Sequence, residues 1–164
     1  MTVFYKEIHL YSKKIPTFHN VTSAAQNALK ASGITNGICV VYSRHTSCGI
    51  LIQEFCHDLG DDGTEFLMED MLDMFEGIIP TCASFGQYNH PGPEHIAFAE
   101  GNGELAEWSL NTDAHLRTVL LGRSESIPVK DGALELGNFG SIYLADLDQT
   151  RERERVVTVQ IVGE

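Results

Sequence analysis

The sequence has few basic residues and no long apolar run, and each absence excludes a class of partner. Lys and Arg together number 11 against 23 Asp and Glu, which gives a formal net charge of -12. A chain this acidic repels polyanions, so we expect no nucleic-acid partner. No apolar run approaches the roughly 20 residues that span a bilayer, so we expect no membrane partner. The first residues lack the apolar core of a signal peptide, and we expect a cytoplasmic protein.

Paired cysteines and nucleotide-binding glycine motifs are also missing. The four cysteines form no C-x-x-C pair, and we interpret them as reduced packing residues. A thiolate role for Cys48 or Cys56, which flank His45, stays open. No G-x-G-x-x-G or G-x-x-x-x-G-K-[ST] sequence is present, so nothing predicts a dinucleotide cradle or a P-loop.

The length and the hydrophobic pattern predict one α+β domain over residues 1–164. The pattern of apolar residues predicts helices after Pro16, over 63–77 and within 104–121, with strands near 3–11, 37–44, 49–54, 140–147 and 155–162. A hairpin is expected at Lys130-Asp131-Gly132, and Ser23 with Gln26 resembles a capping box. Strand pairs joined by short turns favour a mainly antiparallel β-sandwich with two or three helices. Residues 80–103 form a long connection, expected to be a site loop or a subunit contact.

Three polar clusters, each containing a histidine, are the strongest functional signal. His45 follows a predicted strand within Arg44-His45-Thr46-Ser47, and the other two histidines are His90 and His115. If the three rings converge, they offer nitrogen ligands and leave one position for water or substrate, as in a catalytic zinc site. A lone histidine that only satisfies a strand end is the alternative reading of His45.

Carboxylates and arginines near these clusters extend the candidate site. Glu54, Asp58 and Asp113 adjoin the clusters and are candidates for a general base or for orienting a histidine ring. The alternative is helix capping, since Asp58 and Asp113 both precede predicted helices, and for Asp58 the two interpretations carry equal weight. Arg151, Arg153 and Arg155 point the same way on an extended segment. They present guanidinium groups to a phosphate or form a solvated surface.

The order of motifs resembles that of one family, the YjbQ-type proteins, also called the secondary thiamine-phosphate synthase family. The matching sequences run from about residue 37 to the end of the chain: R-H-T-S-x-x-x-x-I-x-E at 44–54, Y-N-H at 88–90, N-x-D-A-H-L at 111–116, L-L-G at 120–122, I-P-V-x-D-G-x-L-x-L-G at 127–137, I-Y-L at 142–144 and a final R-x-R-V-V. Several spaced motifs in one order are more specific than any one of them.

The resemblance implies a homotrimer with a site that holds a divalent metal, zinc by the chemistry of its ligands, and an anion. It also implies a low thiamine-phosphate synthase activity, which joins a pyrimidine diphosphate to a thiazole phosphate and releases pyrophosphate. Carried over by motif, the metal ligands are His45, His90 and His115, and the catalytic acids are Glu54 and Asp113. Asp58 is a further catalytic candidate because it adjoins the first cluster. The substrate-binding residues are Thr46, Ser47, Asn111, Arg153 and Arg155.

The sequence departs from the family pattern at three places. The usual E-x-x-D-P becomes Glu54-Phe55-Cys56-His57-Asp58, so either Asp58 takes the acidic role from a shifted position or His57 replaces it. The usual L-G-x-W-Q becomes Leu136-Gly137-Asn138-Phe139-Gly140, and a later E-x-R becomes Asp146-Leu147-Asp148. The sequence is therefore compatible with two functions. The first is a metal-assisted enzyme on a small phosphorylated substrate, and the alternative is a non-catalytic module that binds a small anion or metabolite.

Overall fold

The computed structural model describes residues 1–164 and contains two antiparallel sheets. The larger sheet has the order β1-β8-β3-β5-β6 and the smaller one β2-β7-β4. The strands are β1 (Thr2–Ser12), β2 (Thr17–Asn20), β3 (Gly37–Ser43), β4 (Cys48–Glu54), β5 (Ser124–Lys130), β6 (Ala133–Leu134), β7 (Gly140–Asp146) and β8 (Arg153–Gly163). The predicted antiparallel α+β fold is confirmed. β2, which follows the Pro16 break, was not predicted, because four residues give too short a pattern to recognise.

Four α-helices and one short 3₁₀ helix accompany the sheets, more than the two or three predicted. They are α1 (Thr22–Ser32), α2 (Phe66–Ile78), α3 (Pro93–Gly101), the 3₁₀ helix (Ala106–Ser109) and α4 (Thr112–Leu121). The unpredicted helix is α3, which lies inside the supposed loop 80–103 and begins at Pro93, a residue suited to a first helical turn. No helix reaches the length and apolar content needed to cross a bilayer.

The predicted capping box at the start of α1 is wrong. Gln26 turns away from the helix end, because its side chain donates to the carbonyl of Gly132 at 3.0 Å and accepts from the amide of Leu134 at 3.2 Å. The amide therefore ties α1 to the predicted 130–132 turn. That turn is formed by Asp131 and Gly132 with φ of 50° and 76°, as a tight hairpin requires.

Two apolar cores lie on opposite faces of the smaller sheet. Alternate residues of β7 explain this, since Ile142 and Leu144 enter the core shared with the larger sheet and α1. Tyr143 and Ala145 enter a second core with α2 and α4. A strand buried on both faces reads as a continuous apolar run, and this one holds the two sheets and the helical layer in fixed positions.

Candidate functional site

The site lies at the end of the sandwich where the chain crosses twice between the sheets. The turn 44–47 leads from β3 in the larger sheet to β4 in the smaller one, and residues 147–152 lead back from β7 to β8. Cys48 pairs with Asp146 in one sheet and Ser43 with Val157 in the other. The two connections are therefore neighbours, and the first turn of α4 packs beside them through His115, whose Nδ1 lies 3.0 Å from the carbonyl oxygen of Thr46.

Between these segments is a polar cleft of about 330 Å³. Four of the six arginines of this acidic chain line it, and each forms an ion pair with a carboxylate: Arg44 with Glu7, Arg151 with Glu104, Arg153 with Asp148 and Arg155 with Asp146. The only apolar side chain in its wall is Trp108. The lining residues are Arg44, His45, Thr46, Ser47, His95, Glu104, Trp108, Ser109, Asn111, His115, Asp148, Arg151, Arg153 and Arg155.

A buried ion pair fixes the floor of the cleft. Asp146, which is fully buried, accepts hydrogen bonds from Nε and Nη2 of Arg155 at 2.6 and 2.8 Å. Burial by itself lowers the pKa of Arg155, but the hydrogen bonds and charge of Asp146 raise it above the ordinary arginine value. The same Nη2 also donates to the hydroxyl of Ser47 at 3.2 Å. Arg155 is thus held rigidly and orients Ser47.

A second buried carboxylate, Asp148, organises the wall. It accepts from the guanidinium of Arg153, from the amide of Asn111 at 2.9 Å, and from the backbone and hydroxyl of Thr150 at 3.0 and 2.6 Å. Burial raises the pKa of Asp148, but the hydrogen bonds from Thr150 and the charge of Arg153 lower it by more, so its pKa lies below the ordinary value. Arg153 keeps its buried Nε without a protein acceptor.

At the rim, the guanidinium of Arg151 lies 4.1 Å from the ring centroid of Trp108 and forms an ion pair with Glu104. A cation over an indole face is attracted by the ring quadrupole. Arg151 is therefore held from two sides. All three arginines of the 151–155 segment line the cleft, which decides against the solvated-surface reading of this segment.

Two of the three histidines that line the cleft, His45 and His115, carry their proton on the same ring nitrogen but bond to the protein through different nitrogens. The backbone N–H of Val156 donates to Nε2 of His45 at 2.9 Å, so that nitrogen holds a lone pair and a neutral ring carries its proton on Nδ1. His115 donates from Nδ1 to the Thr46 carbonyl, and its Nε2 lone pair is free. Burial and the charges of Arg155 and Arg44 lower the pKa of His45, so its neutral form is favoured.

His90 lies behind His115, with its ring centroid 5.7 Å from that of His115 and 4.6 Å from that of His95. The hydroxyl of Thr112 donates to the carbonyl of His90 at 2.6 Å, so it can only accept the 2.9 Å hydrogen bond from Nδ1 of the same residue. His90 therefore also has a free Nε2 lone pair. Burial and the neighbouring histidines lower its pKa.

The predicted trio of metal ligands does not fit a metal ion as a set. His45 has spent its Nε2 lone pair on Val156, whereas His90 and His115 retain theirs. No three His, Cys, Asp or Glu side chains are grouped closely enough to hold a metal ion. Of the three predicted ligands, only His90 and His115 therefore keep a ring nitrogen that is free to bind a metal ion.

The three carboxylates predicted as catalytic lie outside the cleft. Glu54 is exposed and pairs with Gly140 at the opposite end of β4 from the turn 44–47, about 20 Å away at roughly 3.3 Å per residue. Asp58 is exposed four residues beyond Glu54. Within one chain, neither joins the histidines.

Asp113 is near His115 in sequence but buried beneath it. Only 1% of Asp113 is exposed; its Oδ1 accepts from the backbone of Cys82 at 3.1 Å, and its Oδ2 lies 3.5 Å from Arg117. Burial raises its pKa. Asp113 therefore ties the 79–92 segment to α4, which corrects the expectation of a carboxylate facing the substrate.

Thr46, Ser47, Asn111, Arg153 and Arg155, the residues predicted to bind substrate, all line the cleft. Sequence reasoning missed His95, Trp108 and Asp148 as parts of it. The sequence does carry a signal for Asp148, because it lies two residues after Asp146 and just before the three arginines. In the comparison with the family motif this position counts only as a departure. Cys48 is fully buried and burial raises the pKa of its thiol, so it is a packing residue.

Comparisons with known proteins cover nearly the whole chain. A family model described as UPF0047 protein YjbQ-like matches residues 6–164. The chain is 35% identical over 159 residues to a UPF0047 protein of Methanothermobacter thermautotrophicus, covering 97% of this chain and 93% of that one. It is 28% identical to the UPF0047 protein sll1880 of Synechocystis, covering 98% and 92%.

Solved structures show the same fold. A YbjQ-like protein of unknown function from Sulfolobus solfataricus superposes with a TM-score of 0.74 at 27% identity, covering 99% of both chains. A YjbQ/UPF0047 protein from Clostridium acetobutylicum gives 0.71 at 29% identity, covering 96% of this chain and 99% of that one.

Proposed function

The chain belongs to the YjbQ-like UPF0047 family, and we propose that it is an enzyme that binds a small phosphorylated substrate in the polar cleft. The concentration of four arginines in one cleft of a chain with net charge -12 carries the proposal. Guanidinium groups match phosphate oxygens in geometry and charge. A volume of about 330 Å³ lies at the small end of ligand pockets.

The roles of the side chains follow from their hydrogen bonds. Arg153 and Arg44 neutralise phosphate charge, and the hydroxyl of Ser47, which accepts from Arg155, has its proton available to donate to the ligand. His115 keeps a free Nε2 lone pair, which it can give to a metal ion. Fixed donors of this kind stabilise developing negative charge without reorganisation.

We also propose a divalent metal, zinc by its preference for imidazole, as the cofactor. His90 and His115 are the residues that would hold it. When bound, such an ion supplies Lewis-acid polarisation of a phosphate oxygen. The lowered pKa of His90, due to burial and its histidine neighbours, favours the neutral ring that metal binding needs.

For the reaction itself we propose thiamine-phosphate synthesis at a low rate. A bond forms between the pyrimidine methylene carbon and the thiazole nitrogen, while the carbon–oxygen bond to the diphosphate breaks and pyrophosphate leaves. Two substrates need two spaces, and a second cavity of about 420 Å³ shares Thr46 and His115 with the cleft and adds Arg123. His115 thus lies where two phosphorylated molecules would meet.

The assembly we propose is a homotrimer. The outer face of α4, next to His115, exposes Leu116, Val119 and Leu120 to 43, 78 and 60%. Exposed apolar patches of this kind mark interaction surfaces. Covering this face with a second copy would shield the histidines from solvent.

A specific observation favours the alternative, a non-catalytic module that binds a small anion. Both carboxylates of the cleft, Asp148 and Glu104, are engaged with arginines, and the predicted catalytic acids lie outside it. Such a site holds an anion firmly without a free carboxylate for proton transfer.

Two measurements separate the functions. Titration of pyrophosphate, followed by the fluorescence of Trp108, the single tryptophan, tests binding. Thiamine phosphate formation from the pyrimidine diphosphate and the thiazole phosphate tests catalysis, with Ser47→Ala and His115→Gln as site variants and Glu154→Gln as an exposed control. We expect binding and turnover in the wild type, with turnover lost in His115→Gln. Binding without turnover supports the alternative, and absence of binding contradicts both.

A further inference from the structure

His45 has only one way to interact with a ligand. A backbone N–H donates and never accepts, so the 2.9 Å contact from Val156 requires a lone pair on Nε2 of His45. The neutral ring then has its proton on Nδ1, for which the structure gives no protein acceptor. Protonating Nε2 would set two N–H groups against each other, so the fold holds this tautomer.

From this geometry we infer that His45 is a phosphate-binding residue that donates through Nδ1–H and is neither a metal ligand nor a general base. The inference deepens the proposed function and rests on it. The ligand it implies is an acceptor-only tetrahedral oxyanion, such as the dianion of a phosphate monoester, because the ring offers only a donor.

Ser47, two residues further along the same turn, is also set up as a hydrogen-bond donor to a ligand. Arg155 donates to its Oγ at 3.2 Å, which leaves the hydroxyl proton for a ligand. Two consecutive residues of β8, Arg155 and Val156, therefore set His45 and Ser47 of the turn as donors. Arg155 is itself fixed by Asp146, so the arrangement does not depend on the ligand being present.

The cleft-facing charges agree with a donor role. The nearby guanidinium groups of Arg155 and Arg44 disfavour a second proton on the His45 ring, as burial does. A neutral donor between cations keeps its N–H without adding a charge that must be desolvated. Loss of a hydrogen bond to a charged partner is expected to lower affinity by about tenfold or more.

The tautomer is tested by long-range ¹H–¹⁵N NMR of uniformly ¹⁵N-labelled protein, with the His45 signals assigned by their loss in His45→Gln. We expect the Nδ1–H pattern in the free protein, with Nδ1 shifting as inorganic phosphate is added. A proton on Nε2 in the free protein, or a Nδ1 signal that stays unchanged while phosphate binds, overturns the inference.

Two substitutions separate donation from anchoring. The terminal amide of Gln reaches the position of Nε2, so His45→Gln keeps an acceptor for Val156 and loses the donor to the ligand. Asn reaches the position of Nδ1, so His45→Asn keeps a donor and loses the anchor. His9→Gln, an exposed histidine paired with Glu154 on β8, is the control.

Calorimetric titration with inorganic phosphate gives the readout. We expect affinity to fall about tenfold in His45→Gln, less in His45→Asn, and not at all in His9→Gln, while His45→Asn loses more thermal stability than His45→Gln. Wild-type binding with undiminished affinity in His45→Gln contradicts the inference alone. Failure of the wild type to bind phosphate removes the proposed function and the inference together.

Discussion

Asp146 and Arg155 form a buried ion pair, with exposed fractions of 0 and 3% and hydrogen bonds of 2.6 and 2.8 Å. The carboxylate ends β7 and the guanidinium lies near the start of β8, so the pair fixes the second crossover between the sheets. Through Arg155 it also orients Ser47. The floor of the cleft therefore depends on this one contact.

Removal of one partner is expected to be costly. Asp146→Asn removes the carboxylate that is bonded to the buried Arg155 and leaves only Asp148, whose Oδ2 lies 4.0 Å from Nη2 of Arg155. Breaking a buried pair in this way typically costs about 3 to 5 kcal/mol of unfolding free energy. Denaturant unfolding measures it. The matched control is Glu154→Gln, also on β8, whose carboxylate pairs with His9 at 63% exposure; we expect a change below about 1 kcal/mol there. Equal losses of unfolding free energy in the two variants would show that the buried pair stabilises the fold no more than the exposed pair does.

The rim contact between Arg151 and Trp108 has an optical readout. Arg151→Gln removes the cation 4.1 Å from the indole ring, and we expect greater quenching of Trp108 fluorescence by acrylamide because the ring face is uncovered. Lys130→Gln makes the same charge change at an exposed residue of the hairpin, far from the cleft, and is expected to leave quenching as it is. Unchanged quenching in Arg151→Gln would mean that this side chain does not cover the ring in solution.

Stability is expected to fall as the solution becomes mildly acidic. The pKa values of His19, His45 and His90 are lowered from 6.5, in each case first by burial. The unfolded chain then binds protons that the folded chain does not, so unfolding free energy is fully retained above about pH 6.5 and decreases as pH drops through that value towards the folded pKa values.

Denaturant midpoints measured between pH 8 and 5 test this dependence, and His45→Gln is expected to flatten it in part. Asp148 contributes with the opposite kind of group. Burial raises the pKa of Asp148, but the Thr150 hydrogen bonds and the charge of Arg153 lower it by more, so the folded pKa lies below the unfolded one. The stability that Asp148 contributes is therefore fully present above its unfolded pKa and is lost only as pH falls through its lower folded pKa. A midpoint that rises towards pH 5 would contradict the histidine account.

Zinc binding separates the histidines. We expect His90→Ala and His115→Ala each to weaken zinc binding by at least about tenfold, because even the loss of a residue that only supports a metal ligand usually has an effect of that size. We expect His45→Gln to leave zinc affinity unchanged, because Nε2 of His45 is already bonded to Val156. Competition with a chromogenic chelator gives the affinities. Loss of zinc in His45→Gln with retention in His90→Ala would reverse the assignment.

Much of the fold follows from local pattern in the sequence. The period of two in β8, the helical stripe of α2 and the Asp131-Gly132 turn each predict their element, because each is encoded by neighbouring residues. α3 has no clear apolar stripe, so the sequence pattern predicts a loop there. Gln26 was misassigned because its amide bonds residues 132 and 134, more than 100 positions away.

The sequence predicts the site residues that lie on the two connections between the sheets. It does not predict which other residues are buried or carried away from the cleft by the fold. The turn at His45 and the arginines after residue 150 converge because β4 pairs with β7 in register. Adjacency to a strand end suggested a role for Glu54, yet the strand carries it to the opposite end. Asp113 has the right neighbour in His115, but helix geometry turns its carboxylate into the protein.

The central claim, that the cleft binds phosphate, is tested most directly by calorimetric titration of inorganic phosphate into the wild type and Arg44→Gln. Arg44 lines the cleft with 55% of its side chain exposed, so its loss should leave the fold intact. Lys130→Gln supplies the same change of charge elsewhere. We predict one site per chain, weakened several-fold in Arg44→Gln and unchanged in Lys130→Gln. Absence of binding, or equal affinity in all three proteins, would contradict the claim.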